Sequence, residues 1–322
     1  MKNYFITGGT GSFGKALLKF FANKKNTNIF IYSRDEMKQW NFQNDYFSHA
    51  KNFNYILGDV RDKDKLISST RNMDFLIHAA ATKIVPTAES NPSECINTNI
   101  FGAMNVIESA KINKIKKIIA LSTDKACNPI NLYGASKLAS DKLFISANYD
   151  NNYSKSKFSV VRYGNVIGSR GSIVPFFKKL NNEKFSFFPI THKEMTRFVI
   201  TLEDAVKMVL FALKDLHGGE IYVKKLPSIK IIDLAKSINP NKKIKIIGIR
   251  PGEKLHEAMI SQDDSINTYE FKDYFKILSP LMSKNLKNKV IANSKKVKTN
   301  FFYSSENNKN WLDFKKLKKI IE

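Results

Sequence analysis

The chain has 322 residues and a formal net charge of +24, from 53 Lys and Arg residues against 29 Asp and Glu residues. Its hydrophobic content of 43% is ordinary for a globular protein and permits a sizeable core. No stretch reaches the roughly 18 consecutive apolar residues of a membrane span, and residues 1–8 lack the pattern of a signal peptide. The length is long for one small domain and fits one larger unit with an appended lobe, and no membrane partner is expected.

The positive charge is spread along the chain and is mostly lysine. Such a surplus can indicate nucleic-acid binding, but we interpret it as a solvated basic surface and expect no nucleic-acid partner. The basic segment at residues 284–319 keeps apolar positions such as Trp311 and Leu317 and is predicted to dock on the fold. Cys95 and Cys127 form neither a CxxC pair nor a disulfide framework, which predicts reduced thiols in a cytoplasmic protein.

Apolar runs alternate with helical patterns through the first half of the chain. We predict strands at residues 3–7, 29–32, 54–57, 74–78, 117–121 and 158–162, and helices at residues 13–22, 95–111 and 133–147. Apolar strands separated by helices indicate a parallel sheet covered on both faces. The predicted class is therefore α/β, with a Rossmann fold built on a doubly wound parallel sheet.

The alternation weakens after about residue 165, where turn-rich pieces appear. Further helices are predicted at residues 201–214 and 229–238, the second stopped by Pro240. We predict a Rossmann dinucleotide-binding domain at residues 1–165. Residues 166–322 are predicted to form mainly a smaller substrate-binding lobe, with some segments returning to the Rossmann unit.

A glycine-rich loop joins the first predicted strand to the first helix. Gly8, Gly11 and Gly14 have GxxGxxG spacing, which permits a tight turn and a close approach of the backbone to a pyrophosphate. The helix N-terminus adds free N–H donors and a positive dipole end. This loop, with Ser12 and Phe13, is predicted to bind a dinucleotide.

The residues after the second strand select the cofactor. NAD-selective sites often place a carboxylate there for the ribose 2′-hydroxyl. Here Ser33 and Arg34 come first and could hold a 2′-phosphate, Arg34 by a charge-assisted bond, whereas Asp35 leaves NAD open. We predict NADP. Asp59 follows the third strand, where a carboxylate can accept from the adenine amino group, and the remaining predicted cofactor contacts are Lys38, Val60 and Ala80.

A candidate catalytic set follows the fifth strand, at the end of the sheet where ligands bind in open parallel sheets. Thr123, Asp124 and Lys125 come first, and Tyr133 and Lys137 are spaced i, i+4 on the next helix and so share a face. An ammonium near a phenol lowers the pKa of the phenol. Tyr133 is therefore predicted to take a hydroxyl proton as hydride leaves the same carbon. The alternative for Asp124 and Lys125 is a local surface ion pair.

These motifs, with residues 78–81, 122–126, 133–138 and 162–166, resemble those of extended short-chain dehydrogenase/reductases that act on sugar nucleotides. Residues 32–36, 58–62, 91–92, 121–126, 128–133, 158–170, 195–198 and 248–257 are also similar to the inverting UDP-N-acetylglucosamine 4,6-dehydratases. The resemblance runs from the first strand to near Trp311. It implies UDP-N-acetylglucosamine as substrate, the first step of pseudaminic acid biosynthesis for flagellin glycosylation, and a homo-oligomer.

The resemblance also implies roles for the catalytic set. Tyr133 would deprotonate the C4 hydroxyl while Lys137 orients the nicotinamide ribose, and NADP would take the C4 hydride and return it to C6. Lys125 would remove the C5 proton, which requires a lowered pKa, and Asp124 would protonate the departing C6 hydroxyl. Reprotonation of C5 from the opposite face would give inversion.

The substrate contacts implied by the resemblance lie mostly in the second half of the chain. Arginine binds a diphosphate bidentately, although Arg197 and Arg250 could be structural and Asn165 could be a turn residue. The family motif has histidine where this chain has Ile84. His78 is predicted to be a packed residue at a strand end, and no cluster has metal-ligand spacing. The implied substrate contacts are Lys83, Asn165, Val166, Arg170, Arg197, Arg250 and Glu253.

Other functions fit part of this pattern. A retaining 4,6-dehydratase or a UDP-hexose 4-epimerase shares the glycine loop and the Tyr–Lys pair. The retaining relatives that share Thr-Asp-Lys are often long and membrane-anchored and carry Met at the position of Tyr133. Asp124 and Lys125 argue against a simple epimerase, which needs no such pair. A non-catalytic protein that senses NADP is disfavoured by the intact set of Thr123, Tyr133 and Lys137.

Overall fold

The computed structural model describes residues 1–150, 156–183 and 185–321. Its strands are β1 (Lys2–Thr7), β2 (Thr27–Ser33), β3 (Phe53–Leu57), β4 (Phe75–His78), β5 (Lys117–Thr123), β6 (Lys157–Tyr163), β7 (Asn165–Val166), β8 (Phe187–Ile190), β9 (Thr196–Ile200), β10 (Glu220–Lys224), β11 (Ser228–Lys230), β12 (Lys243–Ile246), β13 (Ala258–Ile260), β14 (Thr268–Glu270), β15 (Tyr274–Leu278), β16 (Lys295–Lys296) and β17 (Tyr303–Ser304).

The α-helices are α1 (Ser12–Phe21), α2 (Glu36–Asn41), α3 (Lys63–Ser69), α4 (Val85–Ser90), α5 (Pro92–Ile96), α6 (Gly102–Ile112), α7 (Leu132–Ser146), α8 (Ile173–Asn182), α9 (Leu202–Asp215), α10 (Ile231–Ile238), α11 (Lys284–Val290) and α12 (Phe314–Ile321). Several of these helices begin at a capping residue, whose small polar side chain accepts a hydrogen bond from a free N–H of the first turn. Asn131 accepts from the Gly134 backbone at 2.8 Å at the start of α7, and Thr201 accepts from Asp204 at 3.1 Å at the start of α9.

A ten-stranded sheet in the order β16-β14-β15-β10-β6-β5-β4-β1-β2-β3 forms the centre of the molecule. The seven strands from β10 to β3 are parallel, and β15, β14 and β16 extend the β10 edge in antiparallel pairs. The strand order reverses between β1 and β4, which places the ligand-binding crevice at the carboxyl ends of these strands. The predicted α/β Rossmann class is confirmed.

All six predicted strands are present as the parallel strands β1 to β6. The predicted helix at residues 95–111 begins earlier, at Pro92, and α5 and α6 are joined by a π-helical turn at Asn97–Phe101. The predicted helix at residues 229–238 was too long. Its first residues belong to β11, which pairs with β9, and α10 begins at Ile231.

Segments of the second half contribute to both parts of the molecule. β10, β14, β15 and β16 join the central sheet, and α9 packs against α1, β5 and β6. A smaller core lies between α8, β8, β9 and α10. The predicted domain boundary at residue 165 stays a prediction. It marks the point where the sequence pattern changes, and strands from both sides of it share the central sheet.

The basic C-terminal segment packs on the smaller core. Leu317 and Ile321 of α12 are buried there, and Trp311 forms an isolated β-bridge with Ser228, the first residue of β11. Within the described ranges, no helix is long and apolar enough to cross a membrane.

Candidate active site

A cavity of about 600 Å³ opens at the carboxyl ends of β1, β4 and β5. The second half of the chain closes its other side with residues around β7 and β9 and with the loop before β13. The cavity walls bring together many of the residues predicted from sequence, namely Gly8, Gly11, Ser12, Phe13, Gly14, Ala80, Lys83, Thr123, Lys125, Tyr133, Lys137, Asn165, Val166, Arg197, Arg250 and Glu253.

The glycine loop packs tightly against neighbouring backbone at two positions. Gly8 has a φ of +67°, and a Cβ there would lie 2.8 Å from backbone atoms of Ala79 and Ala80. A Cβ on Gly14 would lie 2.1 Å from the Gly9 carbonyl oxygen. Only glycine fits these two positions. The turn leads into the N-terminus of α1 at Ser12, so this segment fits the pyrophosphate of a dinucleotide.

The residues after β2 are held by local polar contacts. The Ser33 hydroxyl is buried and accepts from the Gln39 amide at 3.0 Å, so it is already engaged. Asp35 caps α2 by accepting from the Lys38 backbone at 2.9 Å and also pairs with the Lys38 ammonium. That hydrogen bond with Lys38 lowers the pKa of Asp35. Of these side chains, Arg34 is the most open, with 51% of it exposed.

Arg34 belongs to a network of four charges that we call the rim network, formed by Arg34, Asp59, Arg61 and Glu94. Arg34 lies 3.5 Å from Asp59 and 3.4 Å from Glu94, while Arg61 lies 2.6 Å and 2.8 Å from the same carboxylates. Arg61 and Glu94 were not predicted from sequence. Val60, predicted beside the cofactor, is buried and packs close to Gly102. Neither Val60 nor the rim network lines the cavity itself.

Tyr133 and Lys137 lie on one face of α7, as their spacing predicts. Burial raises the pKa of Tyr133 to about 12, and the Lys125 charge and a hydrogen bond with Thr123 oppose this rise. The cation that acts on Tyr133 is thus Lys125, whereas the sequence analysis assigned this effect to Lys137. Lys137 is itself buried, which lowers its pKa, and Asp141 partly restores it.

Asp124 and Lys125 form a buried pair, which excludes the alternative of a surface ion pair. Asp124 is fully buried and its Oδ1 accepts from Lys125 Nζ at 3.1 Å and from the Thr123 hydroxyl at 2.9 Å. Its other oxygen, Oδ2, has no hydrogen-bond partner in the described ranges. Lys125 Nζ also lies 3.3 Å from the Asn165 amide oxygen and 3.3 Å from Glu257 Oε1.

The pKa of Lys125 differs from what the sequence analysis required. Burial lowers the pKa of this ammonium, but the charges of Asp124 and Glu257 outweigh burial, and the pKa is raised above its ordinary value. Lys125 is therefore protonated in the resting protein. Any role as a base has to begin with the loss of that proton to a neighbouring group.

Arg197 and Glu253 lie 3.7 Å apart on the side of the cavity formed by the second half of the chain, and Arg197 is also 3.9 Å from Glu257. Arg197 is 5% exposed, and its guanidinium donates to the carbonyls of Thr196, Lys254 and Leu255 at 2.7 to 3.0 Å. This fixes the loop before β13, so Arg197 has a structural task. Glu253 accepts from Arg250 at 2.9 Å, a bond that lowers the pKa of Glu253 against the effect of burial. Most of the Arg250 side chain is exposed.

Arg170 lies beside the glycine loop, although the resemblance implied a substrate contact. Its backbone N–H donates to the Ser12 hydroxyl at 3.1 Å, and its guanidinium donates to the Thr10 carbonyl at 3.0 Å. Desolvation and the charge of Arg170 lower the pKa of Lys83. Both cations are therefore close to the segment that fits a pyrophosphate.

His78 is a packed residue, as predicted. Its ring shares a hydrogen bond of 2.8 Å with the Thr7 hydroxyl and lies 5.5 Å from the ring of Phe144. Burial lowers the pKa of His78 to about 3, so the imidazole is neutral. In the described ranges, no group of His, Cys, Asp and Glu residues has the arrangement of a metal site.

Residues that were not singled out from the sequence form hydrogen bonds to α7, the helix that carries Tyr133 and Lys137. Asn99, in the π-helical turn, donates to the Ser136 hydroxyl of α7 at 2.9 Å, and such turns occur often at functional sites. Asp141 accepts from Ser122 at 2.7 Å and from Arg162 at 3.3 Å, and all three are buried. The sequence signal for Arg162 was its place in the motif at residues 162–166.

Comparison with known proteins agrees with this site. Residues 4–279 match the model of a family described as polysaccharide biosynthesis protein. The chain belongs to this family. It is 55% identical to a UDP-N-acetylglucosamine 4,6-dehydratase (inverting) of Campylobacter jejuni subsp. jejuni serotype O:2, over 99% of this chain and 97% of that protein. The resemblance predicted from the motifs is confirmed.

Three further proteins are similar to this chain over most of its length. A UDP-glucose 4-epimerase of Rickettsia bellii is 39% identical over 99% of this chain and 95% of its own. The X-ray structure of Pen from Bacillus thuringiensis superposes with a TM-score of 0.91 at 37% identity, covering 99% of this chain and 97% of that one. A dTDP-glucose 4,6-dehydratase of Streptomyces venezuelae with NAD bound, at 17% identity, 79% and 86% coverage and a TM-score of 0.69, shares the fold.

Proposed function

We propose that this protein is an NADP-dependent UDP-N-acetylglucosamine 4,6-dehydratase that inverts C5, a carbon–oxygen lyase. The observation that carries the proposal is the ion pair between Lys125, which lines the cavity next to Tyr133, and Asp124, which is buried directly behind it. Oxidation and re-reduction at C4 need only Tyr133 and Lys137. An acid and a base next to the same sugar are what elimination of water across C5 and C6 needs in addition.

The proposed reaction begins with removal of the C4 hydroxyl proton. Tyr133 takes this proton in its phenolate form. Burial disfavours that form and raises the pKa of Tyr133 to about 12, while the charge of Lys125 and the hydrogen bond with Thr123 act in the opposite direction. Lys137 orients the nicotinamide ribose. A bound NADP supplies the acceptor of the C4 hydride and the donor of the hydride that reaches C6. The new C4 ketone then acidifies the C5 proton.

Elimination requires Lys125 without its proton and Asp124 with one. In the resting ion pair the two groups are 3.1 Å apart, so one proton transfer from Lys125 to Asp124 prepares both. The Lys125 amine then takes the C5 proton, and the Asp124 proton leaves with the C6 hydroxyl as water. C5 then gains a proton on its opposite face. This gain balances the proton that O4 released to Tyr133.

The cofactor and substrate assignments rest on the two ends of the cavity. Gly8, Gly14 and the N-terminus of α1 fit a pyrophosphate, and Arg34 with Lys38 favours the additional 2′-phosphate of NADP. Arg250 and Glu253 are assigned to the UDP-sugar. We further infer, from the resemblance of the sequence motifs, a cytoplasmic homo-oligomer that performs the first step of pseudaminic acid biosynthesis for flagellin glycosylation.

A UDP-hexose 4-epimerase is the second candidate, because a relative at 39% identity carries the name UDP-glucose 4-epimerase. Proton NMR of the protein with UDP-N-acetylglucosamine in heavy water separates the two. A C6 methyl signal with deuterium at C5 and couplings of the arabino configuration supports the proposal. A methyl signal of the xylo configuration contradicts inversion, and a C4-epimeric sugar without a methyl signal supports the epimerase.

A further inference from the structure

A second carboxylate contacts Lys125, and the function proposed above gives it no task. Glu257 lies just before β13 and is 2% exposed, yet it lines the cavity. Its Oε1 is 3.3 Å from Lys125 Nζ. Its Oε2 is buried and has no hydrogen-bond partner in the part of the chain that the structure describes. A buried carboxylate in this state costs free energy unless neighbouring cations compensate it.

The backbone of Glu257 is held firmly in place. Its N–H donates to the Ser305 hydroxyl at 3.0 Å, and its carbonyl accepts from the Ser305 N–H at 2.7 Å. Ser305 in turn shares a hydrogen bond of 2.7 Å with the hydroxyl of Thr196 in β9. The carboxylate is therefore fixed relative to β9 and β17, and through them to the wall of the cavity.

The charges around this carboxylate are mostly positive. Besides Lys125, it faces Arg197 at 3.9 Å and Lys254 at 3.9 Å. Lys125 faces Asp124 and Glu257 as anions and Arg197 as a cation. Without the charge of Glu257, Lys125 would keep one carboxylate against the repulsion of Arg197 and the cost of burial. Its ammonium would then lose its proton more readily.

We propose that Glu257 is a positioning residue for the elimination step, holding the Lys125 ammonium beside Asp124 so that one proton passes between those two groups. This inference rests on the proposed function. In the step, an N–H bond of Lys125 breaks and an O–H bond forms on Asp124. When the Lys125 amine later takes the C5 proton, the ammonium forms again next to Glu257, whose own protonation does not change.

The test compares Glu257→Gln with Glu257→Asp, which keeps the charge, and with Glu306→Gln as a control. Glu306 pairs with His256 at 3.3 Å and is about half exposed. We expect kcat of Glu257→Gln to fall by about 10²-fold and to decline further toward alkaline pH, because Lys125 then loses its proton to solvent. Glu257→Asp lowers kcat without the alkaline decline, and Glu306→Gln matches the wild type.

A spectroscopic measurement distinguishes a positioning role of Glu257 from a merely structural one. Because C4 oxidation does not use Glu257, we expect Glu257→Gln to accumulate the near-ultraviolet absorbance of reduced nicotinamide when UDP-N-acetylglucosamine is added. A variant with lower kcat, the wild-type pH profile and no accumulation would show a merely structural role and overturn the proposal, as would a wild-type kcat. If Glu257→Gln does not fold, an unchanged kcat in Glu257→Asp overturns it.

The charge of Lys125 can also be followed without turnover. Labelling with acetic anhydride at a series of pH values, read by peptide mass spectrometry, should modify Lys125 at lower pH in Glu257→Gln than in the wild type. Equal labelling curves would contradict the inference. Failure of the wild type to form the methyl ketone would instead contradict the proposed function, so the two failures are distinguishable.

Discussion

The charged groups around the cavity and those of the segment after β2 lie in different surroundings. At the end of β5 and on α7, Asp124 and Lys137 are almost completely buried, and burial acts on the pKa values of Lys125, Tyr133 and Lys137. After β2, the side chains of Arg34 and Lys38 are 51% and 39% exposed and pair with nearby carboxylates. Buried charges are strongly coupled, whereas exposed pairs contribute roughly 0–1 kcal/mol each.

This difference separates the chemistry from the choice of cofactor. The buried end fixes which atom carries each proton, and a single change there should alter the rate by orders of magnitude. Because most side chains of the rim network are exposed, their ion pairs can be exchanged at little cost in free energy. A ligand phosphate can therefore replace a carboxylate next to Arg34. Changes at the rim should alter affinity modestly and leave the chemistry intact.

The largest effect is expected for Tyr133→Phe. Loss of the phenol removes the base for the C4 hydroxyl, and kcat should fall by about 10³- to 10⁴-fold. The rate is measured by the growth of the C6 methyl signal. Cofactor affinity, measured by calorimetry, should stay within about threefold, because the phenol is not the main contact of the cofactor. A residual rate near that of the wild type would show that another group takes the C4 proton.

Lys125→Met should block the elimination step and leave the oxidation at C4 in place. The substitution keeps a long side chain but removes the base for C5, so methyl formation should fall by about 10²- to 10⁴-fold. Oxidation at C4 should persist, because Tyr133 keeps its hydrogen bond with Thr123, although the phenol loses the cation that favours its ionisation. Deuterium uptake at C5 and the absorbance of reduced nicotinamide report the two halves. Normal deuterium uptake in this variant would assign the C5 base elsewhere.

The buried region should also control the pH dependence of stability. His78 has a pKa of about 3 when folded and about 6.5 when unfolded, so the unfolded chain binds a proton that the folded chain does not. Stability is therefore complete above about pH 6.5 and falls as the pH drops toward 3. Between pH 7 and pH 5, His78 should cost about 2 kcal/mol of the free energy of unfolding.

Urea unfolding of His78→Gln at the two pH values checks this expectation. The variant should be less stable than the wild type at neutral pH, since packing against Phe144 is lost, but it should lack this part of the pH dependence. An equal fall in both proteins would show that other groups cause it.

The smallest effect is expected at the rim. Arg34→Ala should weaken NADP binding by about tenfold, or about 1.4 kcal/mol, and leave NAD binding nearly unchanged. Lys116→Ala is a matched control, because Lys116 is also an exposed cation paired with a carboxylate, at 2.7 Å from Asp74. Equal losses for the two cofactors would remove Arg34 from the recognition of the 2′-phosphate.

The sequence was sufficient for six of the seven parallel strands, whereas β10 was not predicted. β1 to β6 are continuous apolar runs separated by helical patterns, a signal that depends on neighbours in the chain. The antiparallel strands β14 and β16 are three and two residues long, too short to show a period. β12 is mostly exposed and is a strand because it pairs with β8. Such pairing depends on distant residues.

The same limit applies to the site. The glycine loop and the Tyr133–Lys137 spacing are local patterns, and the structure brings them together at one cavity. The contacts of Glu257 with Lys125 and of Arg170 with Thr10 join residues more than a hundred positions apart, so no local spacing could indicate them. Glu257 closes the motif at residues 248–257, which was the one available signal. The raised pKa of Lys125 follows from that unpredicted carboxylate.

The central claim is that hydride leaves C4 and returns to C6 of the same sugar. UDP-N-acetylglucosamine carrying deuterium at C4 tests it directly, with the product analysed by NMR and mass spectrometry in ordinary water. The account predicts one deuterium in the C6 methyl group of the product. Deuterium found again at C4 of an epimerised sugar, or a methyl group without deuterium, would contradict it.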